Sequence, residues 1–363
     1  MSDARHQLTK AKRIVVKLGS SALSSDPELP ARLSEQVAEL MHGGRRFVLV
    51  SSGAIALGVT RLGFRGRPRE MARLQAAAAA GQSVLMHRYE TALGRAGLTA
   101  AQVLLTHADL ADRERLNNAR QALGALLEAR AVPIVNENDT VATEEIRFGD
   151  NDQLAAMVAP LVGAELLVLL TDVEGVLDGA GRRISVLEDG SEVGALVKTQ
   201  NSGSGGISSK LDAARKASRS GAAVVVARAS RERVLCDILA AEDVGTLIPR
   251  RGSPMRARKH WIMFTLRPSG ALLIDDGAAR AVRSGKSSLL PVGILGVRGQ
   301  FNPGDSVRLV APDGSEVGRG LTRLGALDVA RAAGKKGAEL DLLFGPRAQG
   351  LVVVHKDDLV TGD

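Results

Sequence analysis

From residue 13 to about residue 250 the chain alternates short runs rich in Val, Ile and Leu with longer segments of helical period, and few folds accept that pattern. Strands buried on both faces and joined by crossover helices look like this, whereas strands with one wet face alternate apolar and polar residues. The spacing predicts strands at 13–17, 46–50, 131–135, 165–170 and 223–227. Between the first two, Leu33, Val37, Leu40 and Met41 fall at helical spacing behind Pro30, and Gly43-Gly44 closes the segment, which makes one βαβ unit. Residues 69–95, very rich in Ala, and 112–130 read as further helices, with Gln75 to Gly81 expected to supply close packing rather than chemistry. The expected fold class is α/β, a three-layer αβα sandwich.

The alternation stops near residue 249. Pro249-Arg250-Arg251-Gly252-Ser253-Pro254 and the basic Arg256-Ala257-Arg258-Lys259 have linker composition. Beyond them, short runs such as Ala271–Ile274, Pro291–Ile294 and Ser306–Val310 are punctuated by Gly, Asp and Pro, the pattern of a small, mostly-β barrel. The expected organisation is therefore 1–250, a linker over 251–266, and a second domain over 267–363. A total of 363 residues suits two or three domains.

Composition removes several classes of function. No stretch of 18 or more uncharged apolar residues offers a membrane span, and Met1 to Lys12 lacks the apolar core of a signal peptide, so a cytoplasmic protein without membrane contact is expected. The single Cys236 cannot form an internal disulfide, and its setting, Val234-Leu235-Cys236, suits inert packing. The net charge of +8 is spread along the chain: residues 253–363 carry 16 Lys and Arg against 11 Asp and Glu, a modest bias. With 2% aromatic residues, a stacking platform for unpaired bases is not expected. No HExxH, paired-Cys motif or GxSxG elbow is present. Gly285-Lys286-Ser287 resembles the end of a Walker A loop, but Arg280 stands where that motif needs glycine, so a plain loop is expected there.

The chemistry concentrates where predicted strands end. Val135 opens into Asn136-Glu137-Asn138-Asp139, followed by Gly149-Asp150-Asn151-Asp152; Ile14-Val15-Val16 runs into Lys17-Leu18-Gly19-Ser20-Ser21; Val48-Leu49-Val50 runs into Ser51-Ser52-Gly53-Ala54. Ligands of open parallel sheets bind beyond the carboxyl ends of the strands, where Lys17, Ser51, Ser52, Asn136, Asp139, Thr171 and Asp172 all fall. Lys17 with Gly19 and free amides near a helix start suits a phosphate, and Ser202 to Lys210, rich in Gly and Ser and leading into a helix, offers the same ingredients for a nucleotide.

These stretches, together with Leu170-Thr171-Asp172 and Gly205-Gly206-Ile207-Ser208-Ser209-Lys210, resemble the glutamate 5-kinase family of the amino-acid kinase superfamily over nearly the whole chain. Gly285 to Ile294 and Gly299-Gln300-Phe301 through Gly304-Asp305 resemble the PUA domain appended to bacterial members. Ser20 and Ser204 stand where Thr is expected and Ile207 where Met is frequent, departures that conserve size and hydroxyl content. The resemblance implies transfer of the ATP γ-phosphoryl group to the side-chain carboxylate of L-glutamate, with Mg2+ accompanying ATP. It implies Lys17 and Lys210 as catalytic cations. Ser52, Asp139 and Asn151 would bind substrate, with Gly53, Ala54, Asn136 and Asp150 around them. Lys17, Gly19, Ser20, Thr171, Asp172, Ser204, Gly205, Gly206, Ile207, Ser208, Ser209 and Lys210 would bind nucleotide. It further implies feedback by proline, a homo-oligomer (dimer or tetramer) and possible contact with glutamyl-phosphate reductase. The residue chemistry agrees on its own terms, because a carboxylate ionised at pH 7 needs no general base and catalysis can rest on alignment and charge neutralisation. The alternatives are a related kinase acting on aspartate, N-acetylglutamate, carbamate or a nucleoside monophosphate, and an RNA-binding protein acting through its PUA domain.

Overall fold

All five predicted strands are present, and each runs one or two residues further at its carboxyl end than the apolar pattern alone suggests. The computed structural model describes residues 3–142, 151–188, 207–251, 255, 257–346 and 348–362. It divides into two compact units, Met1–Pro254 and Met255–Asp363.

In the first unit the strands are β1 (Arg13–Leu18), β2 (Arg46–Ser51), β3 (Ala100–Leu105), β4 (Val132–Glu137), β5 (Leu166–Thr171), β6 (Ala223–Arg228) and β7 (Thr246–Ile248). Its helices are α1 (Asp3–His6), α2 (Ser20–Ser25), α3 (Leu29–His42), α4 (Ala54–Arg61), α5 (Met71–Arg95), α6 (His107–Ala111), α7 (Arg113–Glu128), α8 (Asn151–Leu161), α9 (Ile207–Arg219) and α10 (Val234–Leu239). The sheet order is β3-β4-β2-β1-β5-β6-β7, parallel throughout except for β7, which runs antiparallel to β6. Two of these strands, β3 and β7, were not expected. β3 lies at the sheet edge with only Leu105 fully buried, so its sequence carries no strong apolar run, and β7 is three residues long.

Side chains alternate across the strands and build one core on each face. Ile14, Val16, Leu18, Phe47, Leu49 and Val168 pack with Leu33 and Val37 of α3, Leu85 and Leu93 of α5, and Leu235 of α10. Val15, Val48, Val50, Leu167 and Leu169 pack on the other face with Leu123 of α7, Leu154 of α8 and Leu211 of α9. This is the three-layer sandwich. Register then levels the strand ends: Lys17 lies beside Val50 and Leu169, Val50 beside Val135, and Leu18 beside Ser51 and Leu170. Because residue 17 shares its strand face with Val15, the Lys17 side chain emerges among α8 and α9. Ser51, one residue out of that phase, faces α5.

The segment Gln75 to Gly81 does pack closely. α4 and α5 approach until the main chain of Ala77 lies against Gly58 and that of Ala54 against Gly81.

The second unit has a five-stranded sheet of order β12-β11-β10-β8-β9, with β8 (Gly270–Ile274), β9 (Ile294–Gly299), β10 (Ser306–Val310), β11 (Glu316–Thr322) and β12 (Val354–Thr361). Among the described residues of this sheet, β8 and β10 pair parallel and the other neighbours antiparallel. Leu272, Ile274, Val307, Leu309 and Val317 form its core with Ala279, Val282 and Val329 from two short helices. Residues 291–294 differ from expectation: Pro291–Gly293 is a 3-10 turn, since proline has no N–H for a ladder, and the strand starts at Ile294. Of the expected linker, Ala257–His260 is helical and Trp261–Thr265 a π-helical turn, with Ile262 and Met263 buried against Val360 of the same unit. Gly285 follows helix Asp276–Arg283 at φ +69°, a helix-ending loop.

Candidate active site

Two buried lysines share one buried carboxylate at the carboxyl edge of the first sheet. Lys17 Nζ, at the end of β1, lies 2.7 Å from Asp152 Oδ1, and Lys210 Nζ, in the first turn of α9, donates to Asp152 Oδ2 at 3.0 Å. The three residues are 6, 8 and 1% exposed, so both ammonium groups and the carboxylate are out of bulk water. Asp152 sits in the first turn of α8, where the helix dipole favours a negative charge. Two ammoniums held on one buried carboxylate place positive charge at the strand ends, an arrangement suited to a phosphate group.

The opposite wall is polar and uncharged at its centre. Asn151 Nδ2 donates to Ser51 O at 2.9 Å, to Ser52 Oγ at 2.8 Å and to Asn136 Oδ1 at 3.1 Å. Two amide protons thus serve three acceptors, so at least one bond is shared. These residues open onto a cavity of ≈ 270 Å³ lined by Ser20, Ser21, Ser24, Ser52, Gly53, Ala54, Ile55, Ala56, Arg67, Asn136, Glu137, Asp139 and Asn151. Gly53 caps α4 at φ +99°, a left-handed conformation that glycine takes without strain, and the first turn of α4 follows it along the cavity. Burial pushes the Asp139 carboxyl up to about 6, with Arg67 pulling the other way.

Of the residues expected to bind nucleotide, Thr171 ends β5, and its hydroxyl donates to Asp172 Oδ1 at 3.0 Å. Thr171 is buried and Asp172 exposed. A Cβ on Gly19 would lie 3.8 Å from both Lys17 Nζ and Leu170 O, so the first glycine-bearing turn passes directly over the lysine. Ile207, Ser208 and Ser209 form the first turn of α9 with Lys210. Ser20, expected with the nucleotide, lines the same cavity as Ser52 and Asp139. Asp150, Ser204, Gly205 and Gly206 lie outside the described residues.

Asp152 and Arg67 are the additions that sequence reasoning missed. A signal existed for the first: two cations expected at one site require a counter-charge, and Asp152 follows the expected ligand Asn151 directly. Arg67 gave none, being one basic residue among Arg61, Arg65 and Arg69. The thiol of Cys236 is half-buried and pushed up by burial, away from reactivity, as expected of a packing residue.

A model of the amino acid kinase family matches residues 12–228, and a model of the PUA domain matches residues 270–342. A glutamate 5-kinase of Thioalkalivibrio sulfidiphilus is 44% identical over 374 residues, covering 99% of this chain and 100% of that one. The chain belongs to the glutamate 5-kinase family. Other glutamate 5-kinases, from Pseudomonas fluorescens and Gloeobacter violaceus, are each 44% identical and cover 98 and 96% of this chain and 99% of theirs. In fold, the chain is similar to carbamate kinase from Giardia lamblia bound to AMP-PNP, with TM-score 0.50 and 16% identity over 67% of this chain and 100% of that one. Among the described residues no helix of this glutamate 5-kinase family member is long and apolar enough to cross a membrane.

Proposed function

We propose that the chain transfers the γ-phosphoryl group of ATP to the side-chain carboxylate of L-glutamate, giving the acyl phosphate that begins proline biosynthesis. The observation that carries this is the Lys17–Asp152–Lys210 cluster, two buried ammoniums held by one carboxylate, with Asn151, the residue before Asp152, lining a polar cavity of ≈ 270 Å³. The near relatives' name, glutamate 5-kinase, agrees, and the aspartate, N-acetylglutamate and RNA readings are not favoured.

Lys17 and Lys210 take the charge of the transferring phosphoryl group and of the leaving phosphate, and Asp152 holds their ammoniums at fixed separation. A phosphoryl group passing between two oxygens asks for such placed charge more than for proton transfer. Asn151 and Ser52, within the wall formed with Asn136, Gly53 and Ala54, hydrogen-bond the amino acid, and Asp139 receives its ammonium. Thr171, Asp172, Gly19 and the turn Ile207–Lys210 border the nucleotide. Magnesium enters with the ATP phosphates as MgATP and keeps much of its water. Residues 1–250 carry this reaction and residues 267–363 form the PUA domain. A cytoplasmic dimer or tetramer, inhibited by proline and handing its labile product to glutamyl-phosphate reductase, completes the reading.

The test is hydroxylamine trapping with ATP, magnesium and L-glutamate beside aspartate, N-acetylglutamate and no acceptor, with a proline arm. Glutamate-dependent hydroxamate that falls with proline is the expected result. Signal with another acceptor alone overturns the substrate, and salt-dependent RNA binding without turnover would favour the PUA domain as the point of the chain.

Asp139 gives this reading a pH signature. Its carboxylate is charged above about 6 and neutral below, so the pairing with a substrate ammonium is lost as pH falls. The KM for glutamate is expected to rise roughly tenfold between pH 7.5 and 5 while the KM for ATP changes little. Asp139→Asn should show a high KM at both values, and a wild-type KM independent of pH would remove Asp139 from the ammonium site.

A further inference from the structure

Along its length α5 carries a polar side chain every seven residues: Gln75, Gln82 and Tyr89. Seven residues is about 20° short of two full turns, so the three fall in one stripe about 21 Å long. Each ends on a different piece of the substrate-pocket wall or its continuation. Gln75 Nε2 donates to Ala142 O at 3.2 Å, Gln82 Oε1 accepts from Asn136 Nδ2 at 2.8 Å, and the Tyr89 and Ser51 hydroxyls bond at 2.9 Å.

The rest of this helix face is apolar or small, including Leu74, Ala77, Ala78, Leu85 and Leu93. Tyr89 is fully buried, and burial raises its phenol to about 12, so it stays a neutral hydroxyl at any working pH. An apolar core would accept phenylalanine there, and a buried hydroxyl costs free energy unless it is bonded. Its partner is informative. Ser51 and Asn136 end neighbouring strands, and each supplies an acceptor to the Asn151 amide. A second cavity of ≈ 210 Å³, bordered by Gln82, Leu104 and Glu137 to Thr140, adjoins the chain that follows Asn136, so the Gln82 bond holds Asn136 beside open space.

We propose that Gln82 and Tyr89 are positioning residues: through Asn136 and Ser51 they fix the two strand ends that orient the Asn151 amide toward the substrate. This rests on the glutamate reading of the pocket. Neither residue touches the reacting atoms, so the effect belongs to glutamate binding rather than to phosphoryl transfer.

The experiment is steady-state kinetics of the full chain with glutamate and ATP varied separately, plus Tm, for Tyr89→Phe, Gln82→Met, Ser51→Ala and Tyr89→Phe/Ser51→Ala. The expected result is a glutamate KM raised on the order of tenfold in each single variant, with the ATP KM within about twofold of wild type. The double variant should be no worse than Ser51→Ala, because Tyr89 acts through that hydroxyl. A lowered Tm with unchanged glutamate KM, an equal rise in both KM values, or additive effects in the double variant would overturn the proposal. Should Tyr89→Phe fail to fold, Ser51→Ala, which leaves the phenol ring in the core, decides the same point. Wild-type protein without glutamate turnover would overturn the site reading itself, whereas wild-type turnover with unshifted variants overturns the positioning role alone.

Discussion

Replacing Lys17 by alanine is expected to lower kcat roughly a thousandfold while the protein stays folded. A lysine about 4 Å from the transferring phosphoryl group, at an effective dielectric near 20, contributes about 4 kcal/mol, which is three decades in rate. The fold should survive because of what remains. Without Lys17, Asp152 still pairs with Lys210 at 3.0 Å, so the buried carboxylate keeps a counter-charge. The contrasting variant is Asp152→Asn, which removes the shared carboxylate and leaves two ammoniums facing each other at the same buried spot. Breaking a buried pair from that side costs about 3–5 kcal/mol of stability, so this variant should lose both activity and Tm. Single-turnover kinetics and thermal denaturation on the two variants separate the cases. Near wild-type turnover in Lys17→Ala, with Tm unchanged, would remove Lys17 from the phosphoryl site.

Gly58→Ala and Gly81→Ala are expected to be among the most destabilising single substitutions in the first unit. A Cβ at Gly58 would overlap the carbonyl of Ala77, and one at Gly81 the carbonyl of Ala54. Both obstacles are main chain, so no side-chain rotation relieves them, and α4 must move off α5. Alanine gains about 1 kcal/mol over glycine in a helix, but the displaced crossing should outweigh it by about 3 kcal/mol, or roughly 10 °C in Tm. The first turn of α4 also lines the substrate cavity with Ala54, Ile55 and Ala56, so whatever folds should bind glutamate more weakly. Gly94→Ala is the control. It lies on the same helix with nothing within 4 Å of its Cβ position, and it should be neutral or stabilising. If the three glycine variants melt alike, the crossing is not as close as described.

Much of the site was legible because a parallel sheet writes its functional edge into the chain: an apolar run buried on both faces has to end, and short polar residues at that end have a predictable address. Lys17, Ser52, Asn136 and Thr171 were all singled out that way, and the structure places them at or just past the strand ends. The amide of Asn151 lies between two of those strand ends, as its expected role requires. β3 stayed hidden because half-buried edge positions such as Ala100 and Ala101, and the exposed Gln102, place no strong demand on residue type.

By itself, then, the sequence determined the layers, five of the seven strands of the first sheet and the polar rim at their ends, since those follow from periodicity within segments of six to thirty residues. Only the tertiary structure decided that Asp152 is the shared counter-charge of Lys17 and Lys210, that α4 and α5 touch backbone to backbone, and that Gln82 and Tyr89 reach Asn136 and Ser51. Each of those contacts joins residues from 19 to 135 positions apart in the chain. The physical reason is that a hydrogen bond or an ion pair is set by distance in space, to within a few tenths of an ångström, whereas a local pattern constrains only which face of its own helix or strand a side chain occupies.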